Sequence, residues 1–465
     1  MKAAIHFKSL MASVLILCSA PIAFPQSTRQ QQIEGVVASN ITAQPVAQDQ
    51  PPSSYARFID PVNGSTADEL VRYAMAHNGE LTAARQMIAE ARGKLKQAGL
   101  KPNPMVMSSY GRTPNTPDNN IEIGMTLPLE LGGRRDARIN VALREIELRE
   151  AEAADFERRL AAEVRLKYSE AIAAARNLKF TEDLLSFTRD SHRLIEARVE
   201  RGKSAPLESN TVLVEMNRVD AMRINFESKT EVAMLELKKT IGMMPDEQLR
   251  LRGEFNEGQP APSWAEAIRN ALASRPDLAA ARAAESLALA QIEQAKTEGK
   301  VEASLFANYM RQSMGFDARG FNEAGVLVPV QGVFHYLTFG VQLTLPVRNK
   351  NQGMIEMAEA QLEAARNRLR FGEIVVRNEV AASLARFERA KAALAVYRDG
   401  VRAQAVRNLE VVKQTYVLGQ KSLIDYLAEQ RRLIEIETGY TEVLKEYFDS
   451  LVEIERAAAL PVPTV

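Results

Sequence analysis

Few side chains in these 465 residues are spaced for chemistry. Cys18 is the only cysteine, which excludes an intrachain disulfide and a Cys-based metal cluster. His77, His192 and His335 fall in different elements without ligand spacing. Met105, Met107, Met310 and Met314 lie in or near strands. Their thioethers could hold a soft cation such as Cu(I), but apolar strand surface accounts for them better. There is no HExxH, no GxSxG and no phosphate-cradling glycine loop ending in Lys-Ser or Lys-Thr. The abundant carboxylates read as solvated helix faces. The chain is therefore expected to be no enzyme and to carry no cofactor or resident metal.

The elements that would position anything else are long. The 59 basic and 59 acidic residues cancel, which argues against a nucleic-acid partner. With 6% aromatic and 25% charged residues, long helices are expected rather than a compact mixed core. Lys2 and Lys8 precede an apolar run from Leu10 to Cys18, followed by Ser19 and Ala20. Residues 1–25 thus read as a secretory signal, too short to span a bilayer. Cys18 raises lipidation as an option. Leu17 stands where a lipoprotein signal has a small residue, so an apolar cysteine in a discarded leader is favoured. No other stretch offers ~18 consecutive apolar residues, so an exported chain would be free or enter a membrane as a β-barrel. Residues 26–66, rich in Gln, Pro, Ser and Ala, read as a linker or extended arm.

From there the chain is written twice. ELVRYAMAHNGELTAAR (69–85) aligns with EAIRNALASRPDLAAAR (266–282), an offset of 197. Thr126 pairs with Thr344 at 218, and ERGKSAPLE (200–208) with VLGQKSLID (417–425) at 217. The growth in offset places an insertion in the second copy, expected as a loop over Gly315 to Val333. The copies span 67–245 and 263–459. Each begins with a helical segment, Ala67 to Lys96 and Ser263 to Lys296. Alternating strands follow at ~103–112 and ~120–128, then at ~301–311 and ~334–346. Each copy ends in a coiled-coil hairpin, ~135–241 and ~352–458. The proline-free run from Arg135 to Val199 would extend about 100 Å. Its shorter return helix leaves room for the helix near Trp264 to stack end to end upon it.

Four strands cannot close a barrel, and open edges on an apolar face are intolerable in lipid or water. Three chains would supply twelve strands. The stretch LPLELGGRRDARI (127–139) then marks the exit from barrel to helix. Pro128 ends the strand, Gly132 and Gly133 permit the swivel, and the charged helix start lies in water. TLPVRNKNQGMI (344–355), with Pro346 and Gly353, repeats the junction.

This duplicated order resembles the TolC-like outer-membrane factors over roughly Ala67 to Ala459. PLELGGRRDARI, LPVRNKNQG and MAEAQLEAAR are most similar to the cobalt–zinc–cadmium (CzcC-like) branch. The resemblance implies a mainly α fold with a small β part. It implies a homotrimer forming a 12-stranded barrel in outer-membrane lipid above a periplasmic α-helical tunnel. It further implies a periplasmic adaptor and an inner-membrane RND-type transporter as partners, with heavy-metal cations as the exported cargo. Adaptor docking would fall on Gly202, Lys203, Ser204, Gly419, Gln420, Lys421 and Ser422. Asp425, matched by Glu208, would narrow the tunnel end as a ring of three carboxylates. A second aspartate of the family's pattern is Ala428 here. The alternatives are export of organic compounds or proteins and, in another class, a pore-free periplasmic coiled-coil scaffold.

Overall fold

The computed structural model describes residues 53–114, 116, 118–253, 255 and 263–459. The leader at 1–25, with Cys18, and the arm as far as residue 52 lie outside the described residues. The end of that arm is not the linker its composition suggests. Helix α1 (Tyr55–Phe58) leads into Ile59, which bridges Leu251 in parallel. Asp60 N–H donates to the Leu251 carbonyl, and Leu251 N–H to that of Phe58, both at 2.9 Å. Phe58, Ile59, Leu249 and Leu251 are buried in one apolar cluster with helix α4 (Arg134–Glu200). Burial of four apolar side chains outweighs the Pro- and Ser-rich composition around them.

The leading segment of each copy is two helices. In the first copy these are α2 (Ala67–His77) and α3 (Gly79–Ala98). The second has α6 (Trp264–Ser274) and α7 (Pro276–Glu298). Thr66 with Glu69, and Ser263 with Glu266, close reciprocal capping boxes that start α2 and α6. The breaks fall at Asn78 and Arg275, where extended backbone separates the paired helices.

These break residues correct the expected stacking. Helix α5 (Pro206–Ile241) ends against the α2–α3 break, where Asn78 Nδ2 donates to the Thr240 carbonyl at 2.9 Å. The α6–α7 break meets instead the end of helix α10 (Leu423–Ala458), with Arg275 Nη1 donating to the Ala457 carbonyl at 3.2 Å. So the helix beginning at Trp264 closes on its own copy, not on the first. In each half a side chain at the break satisfies a carbonyl left orphaned by the last helical turn.

Four strands form one antiparallel sheet in chain order: β1 (Met105–Arg112), β2 (Asn119–Leu129), β3 (Glu302–Phe321) and β4 (Leu327–Thr344). The expected loop over Gly315 to Val333 is mostly strand, with a register shift between Gly315 and Arg319. Glycine and proline letters mislead there because a two-stranded ribbon absorbs them at a bulge and an edge. Pro128 does not end its strand; it pairs with Ser304, one residue before the end of β2. The β1–β2 ladder has already stopped at Met105 and Thr126, so Pro128 lies where β2 has only β3 beside it.

Helix α4 runs 67 residues without interruption, about 100 Å at 1.5 Å per residue. Along its buried side Leu160, Val164, Tyr168, Ala171, Ala175 and Leu178 recur every three or four residues against Ala233, Met234, Leu237 and Ile241 of α5. The counterpart in the second copy is not one unbroken helix. It is α8 (Gln352–Ala395), a π-helical segment (Val396–Arg402) and α9 (Ala403–Val417), returning as α10. Tyr397 sits at Gly439 and Arg402 reaches Glu437 at 2.6 Å, both on α10. Residues five apart would point about 140° away from each other on an α-helix, and the wider turn brings them to one side.

Candidate channel surfaces and helical tips

The register sorts the sheet into two faces. Val106, Met125, Ala307 and Phe339 lie in one row across the four strands, and Ser108, Ile123, Tyr309 and Leu337 in the next. Leu127, Leu305 and Val341 continue this apolar face toward the helices. The opposite face carries Glu122, Thr126, Asn308, Gln312, Thr338 and Gln342. Asn308 Nδ2 donates to Glu122, and Ser109 Oγ donates to the other carboxylate oxygen at 3.4 Å.

Met105, Met107, Met310 and Met314 all belong to this polar face, in register with Thr126, Gly124, Glu122 and Gly332. They therefore stand on the face of Glu122 and Asn308 and not in the apolar rows. Met125 alone of the strand methionines stands on the apolar side. In MVMSSYGR both parities carry apolar letters, so only pairing to Glu122 could decide. Among the described residues no cluster of three or more His, Cys, Asp or Glu could hold a metal.

At the first junction Gly132 and Gly133 take φ of 73° and 81°, the left-handed region glycine enters freely. The arginines that follow are not simply solvated. Arg134 donates to the carbonyls of Thr297, Glu298 and Lys300 and pairs with Glu302, and Arg135 Nε donates to Gly99 at 2.8 Å. They satisfy the ends of α7 and α3, where cations are favoured. In the second junction the swivel belongs to Asn351, at φ 65°, whose Nδ2 donates to the Ala295 carbonyl. Gly353 lies inside α8, and Pro346 follows the end of β4.

Both hairpin tips close the same way. Gly202 and Gly419 adopt φ of 66° and 77°. Lys203 N–H donates to Arg198 at 2.8 Å, and Gln420 N–H to Thr415 at 2.9 Å, the six-to-one bond of a glycine-terminated helix. Lys203, Gln420, Lys421 and Ser422 are exposed, and Ser204 is half-buried. Leu207 and Ile424, equivalent residues one turn beyond, are each 73% exposed. Exposed aliphatic residues at matching tip positions suit contact with another protein.

The tips differ in what starts the return helix. Ser422 and Asp425 form a reciprocal capping box on α10, with Ser422 Oγ 2.8 Å from Asp425 Oδ2. The Ser422 side-chain and backbone hydrogen bonds hold the Asp425 carboxyl below the ordinary carboxylate range. Glu208 stands at the same position of α5, but Ala205 provides no side-chain cap. The Ser-x-x-Asp spacing is the sequence signal of such a box, a role the carboxylate-ring reading of Asp425 did not include.

Above the tips, the two hairpins are fastened by groups no spacing rule could find. Glu215 on α5, 1% exposed, accepts from Arg431 on α10 at 2.7 Å and from Arg218 at 2.8 Å. Burial alone would push its carboxyl up, but the two arginines outweigh burial and hold it low. Gln430 Nε2 donates to Thr188 on α4 at 3.0 Å. Ile195, Val212, Leu423, Tyr426 and Leu427 pack together beneath these bonds. Burial pushes the Tyr426 hydroxyl up to about 12.

The outer membrane efflux protein family model matches residues 70–243 and 267–459. The cobalt-zinc-cadmium resistance protein CzcC of Cupriavidus metallidurans is 22% identical over 393 residues, 84% of this chain and 89% of CzcC. The nickel-cobalt-cadmium resistance protein NccC of Alcaligenes xylosoxydans xylosoxydans is 25% identical over 53% of this chain and 51% of its own. Among solved structures, CusC superposes with a TM-score of 0.69 at 16% identity, covering 88% of this chain and 96% of its own. The Campylobacter jejuni outer membrane channel CmeC gives 0.69 at 15% identity, covering 84% and 85%. Among the described residues no helix is long and apolar enough to cross a membrane. With matches to both copies, the chain belongs to the outer membrane efflux protein family, whose members are passive channels and not enzymes.

Proposed function

We propose that three copies of this chain close a twelve-stranded barrel in the outer membrane, the β1 edge of one pairing with the β4 edge of the next. The observation that carries this is the sheet itself. It has two unpaired edges in the protomer, one largely apolar face, and one face where Glu122, Thr126, Asn308 and Thr338 stand among Phe306, Phe334, Tyr336 and the methionines. A monomer would expose both edges, whereas ring closure pairs every backbone group and turns the apolar rows to lipid. Glu122, Asn308 and the polar-face methionines then border a water-filled lumen. The helical body continues the duct into the periplasm. An adaptor docks on the tips at Gly202, Lys203, Ser204, Gly419, Gln420, Lys421 and Ser422, and an inner-membrane RND-type pump supplies the energy.

The cargo we assign is heavy-metal cations, supported by the resistance named for CzcC and NccC. Asp425 and Glu208 form the periplasmic gate at the tunnel end. The capped Asp425 carboxylate stays ionised at neutral pH, and three such groups on a threefold axis would favour cations. Asp425→Asn is expected to lower cation preference in planar-bilayer conductance; unchanged selectivity removes Asp425 from the gate.

The deciding experiment deletes the gene and measures growth in Co²⁺, Zn²⁺ and Cd²⁺ beside dyes, detergents and antibiotics, with fractionation of the tagged protein. Selective metal sensitivity, restored by the intact gene, with heat-sensitive trimers in the outer membrane is expected. Sensitivity to organic compounds alone overturns the cargo. Recovery in osmotic-shock fluid overturns the channel.

A further inference from the structure

The apolar face ends abruptly, away from the helices. Its last two full rows are Tyr110, Ile121, Arg311 and His335, then Arg112, Asn119, Ser313 and Val333. Two arginines and a histidine thus stand on the face whose inner rows are, apart from Ser108, Ala, Ile, Leu, Met, Phe, Tyr and Val. Polar tips on this face lean outward. Tyr309 Oη lies 2.7 Å from His335 Nδ1, one row further from the helices. Arg311 Nη1 donates to Asn119 Oδ1 at 3.4 Å, also one row out and directly opposite Arg112. Side chains that bury an apolar stem and send a polar head to one end are behaving as they do at a membrane boundary.

The spacing fits. From Leu343 to His335 along β4 is eight residues, or about 27 Å of strand. Tilted as barrel strands are, that approaches the ~25 Å apolar band of an outer-membrane barrel. The nearby acid, Asp118, accepts from the Gly315 N–H at 2.6 Å, and its single negative charge is outnumbered by the two arginines. Glu122 faces the other side of the sheet.

Resting on the barrel reading above, we propose that Arg112 and Arg311, aided by His335 and Tyr309, form a binding surface for the phosphate of an outer-leaflet lipid. Guanidinium groups match phosphate oxygens in a two-pronged geometry, and a phosphorylated glycolipid supplies those oxygens at headgroup depth. A zwitterionic lipid would set its own cation against the same arginines.

The test uses the full trimer in phosphatidylcholine nanodiscs holding a small fraction of bisphosphorylated lipid A. Lipid retained after mild detergent extraction is counted by mass spectrometry. The wild type is expected to enrich the phosphorylated lipid on the order of tenfold over its share of the bilayer. R112Q/R311Q should abolish the enrichment, R112K/R311K, which keeps the charge but not the two-pronged fit, should keep only part of it, and R368Q/R370Q on α8 should keep all of it. If the double glutamine variant does not assemble, R112Q and R311Q singly, each expected to lose roughly threefold, decide the matter. Trimers that insert but show no enrichment, or enrichment untouched by R112Q/R311Q, overturn the site and leave the barrel standing. A chain that never enters bilayers removes both.

Discussion

Helix α4 spans 67 residues without a fault, while its counterpart in the second half is α8, a π turn and α9. The return helices match in length, 36 residues each, yet α10 begins with a side-chain cap and α5 with none. The strand pairs differ more: 8 and 11 residues in the first half, 20 and 18 in the second. Equivalent residues have kept the backbone plan and diverged in local devices. Asn78 and Arg275 perform one task at one position with unlike side chains, each holding the last carbonyls of its own return helix. A duplicated fold is retained through its orphaned backbone groups, and the side chains that serve them are exchangeable.

Unequal in length as the strands are, the two halves should respond alike within one apolar row, because Met125 and Phe339 share it. Met125→Arg and Phe339→Arg should each oppose membrane assembly by about 2–4 kcal/mol per protomer, whereas Thr338→Arg on the polar face should cost about 1 kcal/mol or less. The yield of heat-sensitive trimer in bilayers measures this, and equal tolerance of Phe339→Arg and Thr338→Arg would reverse the two faces.

The clamp between halves comes next. Glu215→Ala should destabilise by about 2 kcal/mol, since Arg218 and Arg431 are half-exposed and can turn to water. The folded Glu215 carboxyl lies below its ordinary value. Its contribution is therefore full above the unfolded value near pH 4.3 and fades as pH falls through the lower folded value. The melting gap between wild type and Glu215→Gln should narrow from roughly pH 5 downward; a gap that widens in acid contradicts the pairing.

The smallest effect concerns the tips. Ser422→Ala should cost about 1 kcal/mol by removing the α10 cap, and Ala205→Ser, which offers Glu208 a partner, should return roughly half that to α5. Thermal melts of the two variants would equalise the hairpins. If Ser422→Ala is silent, the capping box does not distinguish them.

Much of the scaffold was legible from letters alone. Pro206 and Gly242 bracket α5, and the turn at Gly419 precedes α10, so both return helices start and stop where punctuation says they should. What stayed hidden depends on partners far along the chain. Val396 to Arg402 contains nothing that announces a π turn; Gly439, Glu437 and Tyr440 on α10 impose it. Gly315, Gly320, Gly325, Pro329 and Gly332 spell a loop, yet most lie in paired strands. The side of the sheet that carries the methionines, and Glu215 with its partner Arg431, are facts of register and packing, beyond any local window. Asp425 is the opposite case, since its cap was written three residues upstream.

One pairing has a bearing on how the molecule is made. Strand β2 bonds to β3, joining residues 174 to 194 positions apart in the chain (303 minus 129, 313 minus 119). Such distant contacts form late, after the entropy of closing the intervening loop has been met. The first copy can wind α4 and α5 together while the second is still being synthesised, but its two strands have no third to join. Until β3 and β4 emerge there is no four-stranded sheet to offer a membrane. Both copies must therefore be present before the apolar rows can assemble into one face.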